Sequence, residues 1–411
     1  MEEEGRREGG GGGATLIKLE SLLSCEKMAE PPLCLVTGAS GYIGSWVTYY
    51  LLSAGYRVRG TVRSLKNSKK IDFLTSLCPA AKHRLELVEA DLLAPASWTA
   101  AVAGCAFVLH VASPFYITEP LDPQALIKPA VEGSLNVLRA CAAATPPPKR
   151  VVLTSSVSAV AYGHGPSKPS SHVFTEADWS VPGGPGMGAY QTSKTLAERA
   201  AWDFVGENSV FELCCINPVM VMGPALGGDS ASGSLEIVKK FFTSPLPGFP
   251  QIPMSFVDVR DVALLHVAAL TSPQAAGRRF IACGVSTTMD TMGPPMRAVF
   301  APHGFRVVAG TTPKWALYAA SFFMADARLA LRNMAESTQV SAAAAEALIG
   351  GGFKFRSDAG AMAVGLATSL IAAGEVEDRS RGRIFSSGRS QEAIESAANP
   401  RVDPQLQRFA L

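Results

Sequence analysis

Nowhere in the 411 residues is there an apolar run of the roughly twenty residues that a bilayer-crossing helix needs. The nearest, 361–374, is rich in small residues and flanked by Arg356, Asp358 and Glu375, which fits a packed helix. Charge of one sign is missing too. A net charge of +2 provides no field to draw in a polyanion, so nucleic acid is not an expected partner. The eight cysteines, at 25, 34, 78, 105, 141, 214, 215 and 283, form no C-x-x-C and no Cys/His cluster at ligand spacing. They read as reduced thiols, and no metal is assigned. The chain opens Met1-Glu2-Glu3-Glu4 and runs into glycines at 9–13. That matches neither a secretory signal nor a basic transit peptide, so a cytoplasmic location is expected.

What is present is a long alternation of apolar runs and helical periods. With 47% hydrophobic residues the chain can bury a large core in one or two domains. Residues 1–30 join charge to polyglycine and are expected to be disordered. Strands are expected at 33–37, 57–62, 84–90, 106–111, 151–154 and 212–217. Helices are expected around Trp46, Val47, Tyr50 and Leu51, then at 124–144 and 190–205. Strands alternating with helices imply right-handed crossovers and a parallel sheet covered on both faces. Beyond Pro218 the pattern loosens. Residues 223–253 read as loop, helical runs recur at 262–270, 314–334 and 360–373, and the polar stretch 381–411 reads as a loose tail.

Thr37-Gly38-Ala39-Ser40-Gly41-Tyr42-Ile43-Gly44 sets glycines between the first strand and the first helix. A phosphate approaching there needs free backbone N–H groups, a helix N-terminus behind them and no Cβ in the way. This favours a dinucleotide site over a plain tight turn. An NAD site usually offers an acid to the adenosine ribose about twenty residues on. Here the second strand ends Thr61-Val62-Arg63, followed by Lys66, Lys69 and Lys70. That cluster suits the 2′-phosphate of NADP(H), the alternative being a solvated lysine loop. Asp91, ending the third strand, is a candidate acceptor for the adenine amino group or a cap for the next turn.

Tyr190 and Lys194 stand four residues apart, hence on one helix face. A nearby ammonium stabilises a phenolate and brings the phenol into range for acid–base work near neutrality. Thr154-Ser155-Ser156 lies just past the fifth strand, at the carboxyl edge where doubly wound sheets bind ligands. From there Ser156 can donate to a substrate carbonyl. His110 reads as a packing residue, and Asp261, near Asp258 and Arg260, as a helix cap.

Taken together, VTGASGYIGSWV (36–47), TVR with Lys70 (61–70), ADL (90–92), HVASPF (110–115), TSS (154–156), YQTSKTLAERAAWDF (190–204), NPVMVMGP (217–224) and FVDVRDVA (256–263) resemble the extended short-chain dehydrogenase/reductases. The similarity points to their group of dihydroflavonol reductases, cinnamoyl-CoA reductases and microbial aldehyde reductases, within the epimerase/dehydratase superfamily. It implies Tyr190 as the acid with Lys194 and Ser156. It also implies cofactor contacts from Arg63, Lys70, Asp91, Leu92, Val111, Ala112, Ser113, Thr154, Ser155, Pro218 and Val221. Ala161 stands where plant dihydroflavonol reductases usually carry an Asn, and the NWYCY-like stretch of cinnamoyl-CoA reductases is replaced by 186–190. The segment 227–235 is more similar to microbial aldehyde/ketone reductases.

The expected architecture is α/β, a doubly wound parallel sheet of Rossmann type with a smaller C-terminal substrate lobe. The NADP-binding part spans 31–270, and the lobe spans 271–380 with help from 223–253. The expected activity is NADPH-dependent reduction of a small aldehyde, ketone or phenolic carbonyl by a monomer or homodimer. Alternatives are a nucleotide-sugar epimerase or dehydratase with retained NAD, and a non-catalytic dinucleotide-sensing scaffold.

Overall fold

In the computed structural model, residues 31–376 are described except 115–121, 170, 228–232, 247, 325–326, 329–330 and 332–338. The expectations for 1–30 and 381–411, most of 227–235 and parts of 314–334 therefore lie outside the described residues. So does Phe115.

The first half alternates as its sequence periods dictate. In chain order it runs β1 (Leu33–Thr37), α1 (Tyr42–Ser53), β2 (Arg57–Val62), α2 (Ser68–Ser76), β3 (Leu85–Glu89) and α3 (Ala96–Val102). It continues with β4 (Phe107–His110), α4 (Gln124–Ala143), β5 (Arg150–Thr154), α5 (Ala189–Asn208) and β6 (Glu212–Pro218). After β7 (Met220–Met222) come α6 (Gly233–Thr243), β8 (Pro253–Asp258), α7 (Val259–Thr271), β9 (Arg278–Ala282) and β10 (Val285–Thr288). The last helix is α8 (Ala359–Ala372).

Seven strands form one sheet in the order β9-β6-β5-β4-β1-β2-β3, and every neighbouring pair is parallel. Because side chains alternate along a strand, Leu35, Val108, Val151 and Leu153 pack on one face with Val137, Leu138 and Ala201. Cys34, Val36, Leu109 and Val152 pack on the other with Trp46, Leu51 and Leu265. The second core continues without a break into Phe241, Phe256, Met362 and Leu366. The C-terminal part is thus welded to one face of the sheet. The strand order reverses between β1 and β4, and doubly wound sheets bind ligands at the carboxyl ends flanking such a point.

Several expectations need correction. Residues 223–253 are not loop throughout, since α6 lies within them; its buried Leu235, Val238, Phe241 and Phe242 recur at helical spacing, a period masked by the surrounding Gly, Ser and Pro. Between β2 and β3, where no element was expected, lies the helix α2. β9 supplies a seventh strand that the short run 278–282, opening on two arginines, concealed. A small second sheet, β10-β8-β7, pairs β8 parallel to β7 and antiparallel to β10. The cap of α7 is Asp258, whose carboxylate accepts from Arg260 N, not Asp261. Asp261 is fully buried in the first turn and pairs with the Arg356 guanidinium.

Candidate active site

The glycine turn is pinned on both sides. Gly38 N donates to Thr61 Oγ1 at 3.0 Å and Ala39 N to Thr61 O at 3.0 Å, holding the turn against β2. The Thr37 hydroxyl accepts from Ala112 N at 2.9 Å and meets His110 Nδ1 at 2.8 Å, tying it to the loop after β4. His110 is fully buried, and burial lowers its pKa to about 3. It is a neutral packing residue, as its place in an apolar strand suggested.

The turn has the shape a diphosphate needs. Gly38 sits at φ +65°, a region that disfavours any Cβ. A Cβ on Gly44 would lie 2.2 Å from Gly38 O. Gly41, at the N-cap of α1, gives no side-chain cap, and the first turn carries no acid. The N–H groups of Tyr42 and Ile43 therefore begin a helix whose positive end is not neutralised by a side chain, as an anion requires. The Tyr42 hydroxyl is engaged within the protein, donating to Gly223 O at 2.5 Å. Ser40 and Ile43 are partly exposed beside it.

Arg63 lies exposed just past β2, and Lys70 stands in the first turn of α2, its backbone N–H capped by Asn67 Oδ1 at 3.2 Å. Asp91 is exposed; one of its oxygens accepts from Leu93 N at 2.8 Å, so it also shapes a turn. Leu92 packs on α4, where Asn136 Nδ2 donates to its carbonyl at 2.8 Å. Val111, Ala112 and Ser113 follow β4 directly, and Pro218 and Val221 lie at and beyond the end of β6.

Tyr190 and Lys194 sit one turn apart at the start of α5. Burial holds the Tyr190 pKa above the ordinary value, and the neighbouring Ser156 hydroxyl opposes that rise. The expected lowering by Lys194 is not what the geometry provides. Its Nζ lies 5.8 Å from the Tyr190 ring centroid and donates instead to Ser113 Oγ at 2.8 Å. Burial lowers the pKa of Lys194 to about 8, with Glu198 opposing that fall. Ser156 also accepts from Ser158 N at 3.1 Å.

Not every residue of the Thr154-Ser155-Ser156 corner faces the cleft. The Thr154 hydroxyl meets His266 Nε2 at 2.7 Å, and the Ser155 hydroxyl donates to Glu198. Their side chains brace the corner, and of the three it is Ser156 that acts on the Tyr190 phenol. Glu198 escaped the sequence reading, although its spacing of four from Lys194 places it on the same helix face.

The match to a family model described as the NAD dependent epimerase/dehydratase family runs over residues 34–283, from β1 to just past β9. The chain belongs to that family. Within it, the chain is 45% identical over 251 residues to cinnamoyl-CoA reductase CAD2 of Medicago truncatula, spanning 59% of this chain and 73% of that one. It is 38% identical over 262 residues to tetraketide alpha-pyrone reductase 1 of Arabidopsis thaliana, 61% of this chain and 76% of that one. Among solved structures, yeast methylglyoxal/isovaleraldehyde reductase Gre2, complexed with NADPH, matches with a TM-score of 0.67 at 27% identity, covering 83% of this chain and 98% of that one. The chain is thus an NAD(P)-dependent oxidoreductase of the short-chain dehydrogenase/reductase type, in its dihydroflavonol-reductase-like group. No described helix is long and apolar enough to cross a membrane.

Proposed function

We propose that the protein reduces the carbonyl of a small aldehyde or ketone with NADPH. The observation that carries this reading is that Tyr190 and Lys194, one turn apart at the start of α5 with the Lys194 Nζ 5.8 Å from the Tyr190 ring centroid, share the carboxyl edge of the sheet with Ser156, just past β5. NADPH, when bound, supplies the hydride for the carbonyl carbon. Ser156 donates to the carbonyl oxygen and orients it. Tyr190, kept in its protonated form by burial, gives that oxygen its proton. Lys194, cationic below about pH 8, would donate to the ribose hydroxyls of the bound cofactor. Arg63 and Lys70 would grip the 2′-phosphate, Arg63 with the planar fork that suits it.

The relatives support a reductase, and the substrates in their names range from a coenzyme A thioester to short aldehydes. We favour the short carbonyls because Ala161 is buried in the apolar core and brings no polar group to read a ring hydroxyl. Nor is Arg260 set aside for a sugar diphosphate, since it grips Asp258 through Nε at 2.8 Å and Nη2 at 2.7 Å. In this reading 31–270 carry the cofactor, and 271–380 with 223–253 form the substrate lobe of a cytoplasmic monomer or homodimer. The test is NADPH oxidation by the purified protein with isovaleraldehyde, methylglyoxal, cinnamoyl-CoA and dihydroquercetin. Isovaleraldehyde or methylglyoxal should give the highest kcat/KM. Dihydroquercetin or cinnamoyl-CoA as the best substrate would overturn the substrate assignment, and no oxidation with any of the four would overturn the reductase.

A further inference from the structure

Glu198 is 1% exposed, one helical turn past Lys194, and four donors converge on it. Arg279 Nε reaches Oε1 at 2.6 Å and Trp202 Nε1 reaches it at 3.3 Å. Asn217 Nδ2 reaches Oε2 at 2.7 Å, and the Ser155 hydroxyl donates to the same oxygen. The donors come from β9, α5, β6 and the end of β5. Arg279, itself 7% exposed, spends its remaining N–H groups on the carbonyls of Asp178 at 2.7 Å, Glu176 at 3.1 Å and Ala159 at 3.2 Å.

Two features connect this buried ion pair to the reacting groups. Asn217 Nδ2 also donates to Ser156 O at 3.1 Å, so one carboxylate oxygen holds both the hydroxyl of Ser155 and the amide that fixes Ser156. A cavity of about 10 Å³ is lined by both Lys194 and Glu198, together with Ser113, Ser134 and Ser155. That is about the room one water needs, with polar partners around it. Apolar residues of the same volume would fill a core at least as well as a buried ion pair, so its place between Ser156 and Lys194 is what calls for explanation.

We propose that Glu198 is a positioning residue of the active site: clamped by Arg279, it fixes the Ser155–Ser156 corner through Asn217 and serves as the counter-charge of the Lys194 ammonium. The inference rests on the reductase reading of Tyr190, Lys194 and Ser156. The titratable and charged groups facing the pair are Tyr190 on α5, His110 on β4, Cys214 and Cys215 on β6 and Arg279 on β9. α4 adds only the neutral Ser134 to the cavity among the described residues. Burial keeps His110, Tyr190 and both thiols uncharged near neutrality. The anion of Glu198 therefore favours the charged lysine, and removing it makes Lys194 lose its proton at lower pH.

The decisive variant is Glu198→Gln/Arg279→Met in the full-length protein, which removes both charges of the clamp and so leaves no guanidinium unpaired. It should melt cooperatively and bind NADPH within about threefold of wild type, while the alkaline limb of kcat/KM for NADPH moves down by about one pH unit. In the cofactor-free protein, the pH at which acetic anhydride half-labels Lys194, read by mass spectrometry, should fall in step. A folded double variant with both midpoints unmoved overturns the proposal. If that variant does not fold, Asn217→Ala decides: a loss of about tenfold in kcat with NADPH affinity kept supports the positioning role, and an unchanged kcat overturns it. Tyr190→Phe, measured alongside with isovaleraldehyde, separates the two failures. Full activity of that variant sinks the reductase reading itself, whereas its inactivity beside an unmoved Glu198 variant sinks this inference alone.

Discussion

The Lys194 ammonium donates at 2.8 Å to the hydroxyl of Ser113, which joins the helix carrying the proton donor to the loop that leaves β4. Both elements flank the crevice at the switch point. The ammonium lies 5.8 Å from the centroid of the Tyr190 ring.

Tyr190→Phe removes one hydroxyl and almost no volume. With the proton donor gone, kcat for isovaleraldehyde should fall by about two to four powers of ten. NADPH affinity, measured by fluorescence titration, should stay within about threefold. Turnover equal to wild type would remove Tyr190 from the chemistry.

Lys194 sets the alkaline limb. Burial lowers its pKa from the ordinary 10.5 to about 8, so its cationic form is complete well below that pH and is lost as pH rises through it. The kcat/KM for NADPH, which reports the free enzyme, should therefore decline above about pH 8. A flat profile up to pH 10 would dissociate turnover from the charge on Lys194.

Arg63 is exposed and makes no ion pair among the described residues. Arg63→Ala should lower kcat/KM with NADPH by about one to two powers of ten, the scale of losing charge-assisted bonds to a phosphate. The value with NADH should hardly change. Equal losses for both cofactors would make Arg63 a support of its loop.

The turn itself tolerates no methyl group at Gly44, where a Cβ would sit 2.2 Å from Gly38 O. Gly44→Ala must displace the backbone that faces the diphosphate. NADPH binding should weaken by tenfold or more, and the melting temperature should drop by several degrees. Unaltered binding would mean that the diphosphate lies elsewhere.

The nucleotide half was legible because each of its elements carries its own local signal. β1 is apolar and ends at Gly38, α1 repeats apolar residues at helical spacing, and Tyr190 and Lys194 declare a shared face by their separation. What stayed hidden depends on contacts between distant positions. β9 opens with Arg278 and Arg279, which reads as polar surface until Glu198, 81 residues earlier, is seen to receive Arg279. The cap of α7 went to Asp258 and not Asp261 because Arg356, far along the chain, claims Asp261. Spacing also promised a lysine that acts on the phenol, whereas the fold turned its ammonium to Ser113, a partner that no local period could name.

The indole of Trp46 donates to Pro224 O at 2.8 Å, and the hydroxyl of Tyr42 donates to Gly223 O. Both donors stand on the helix behind the glycine turn, and both acceptors are main-chain oxygens at the mouth of the segment leading to α6. A main-chain oxygen is offered by every residue type. The anchor accordingly stays in force whatever side chains occupy the positions downstream of Pro224. On the proposed reading of residues 225–253 as part of the substrate lobe, changes downstream of Pro224 leave that anchor in place, which makes this stretch the place to graft new specificity.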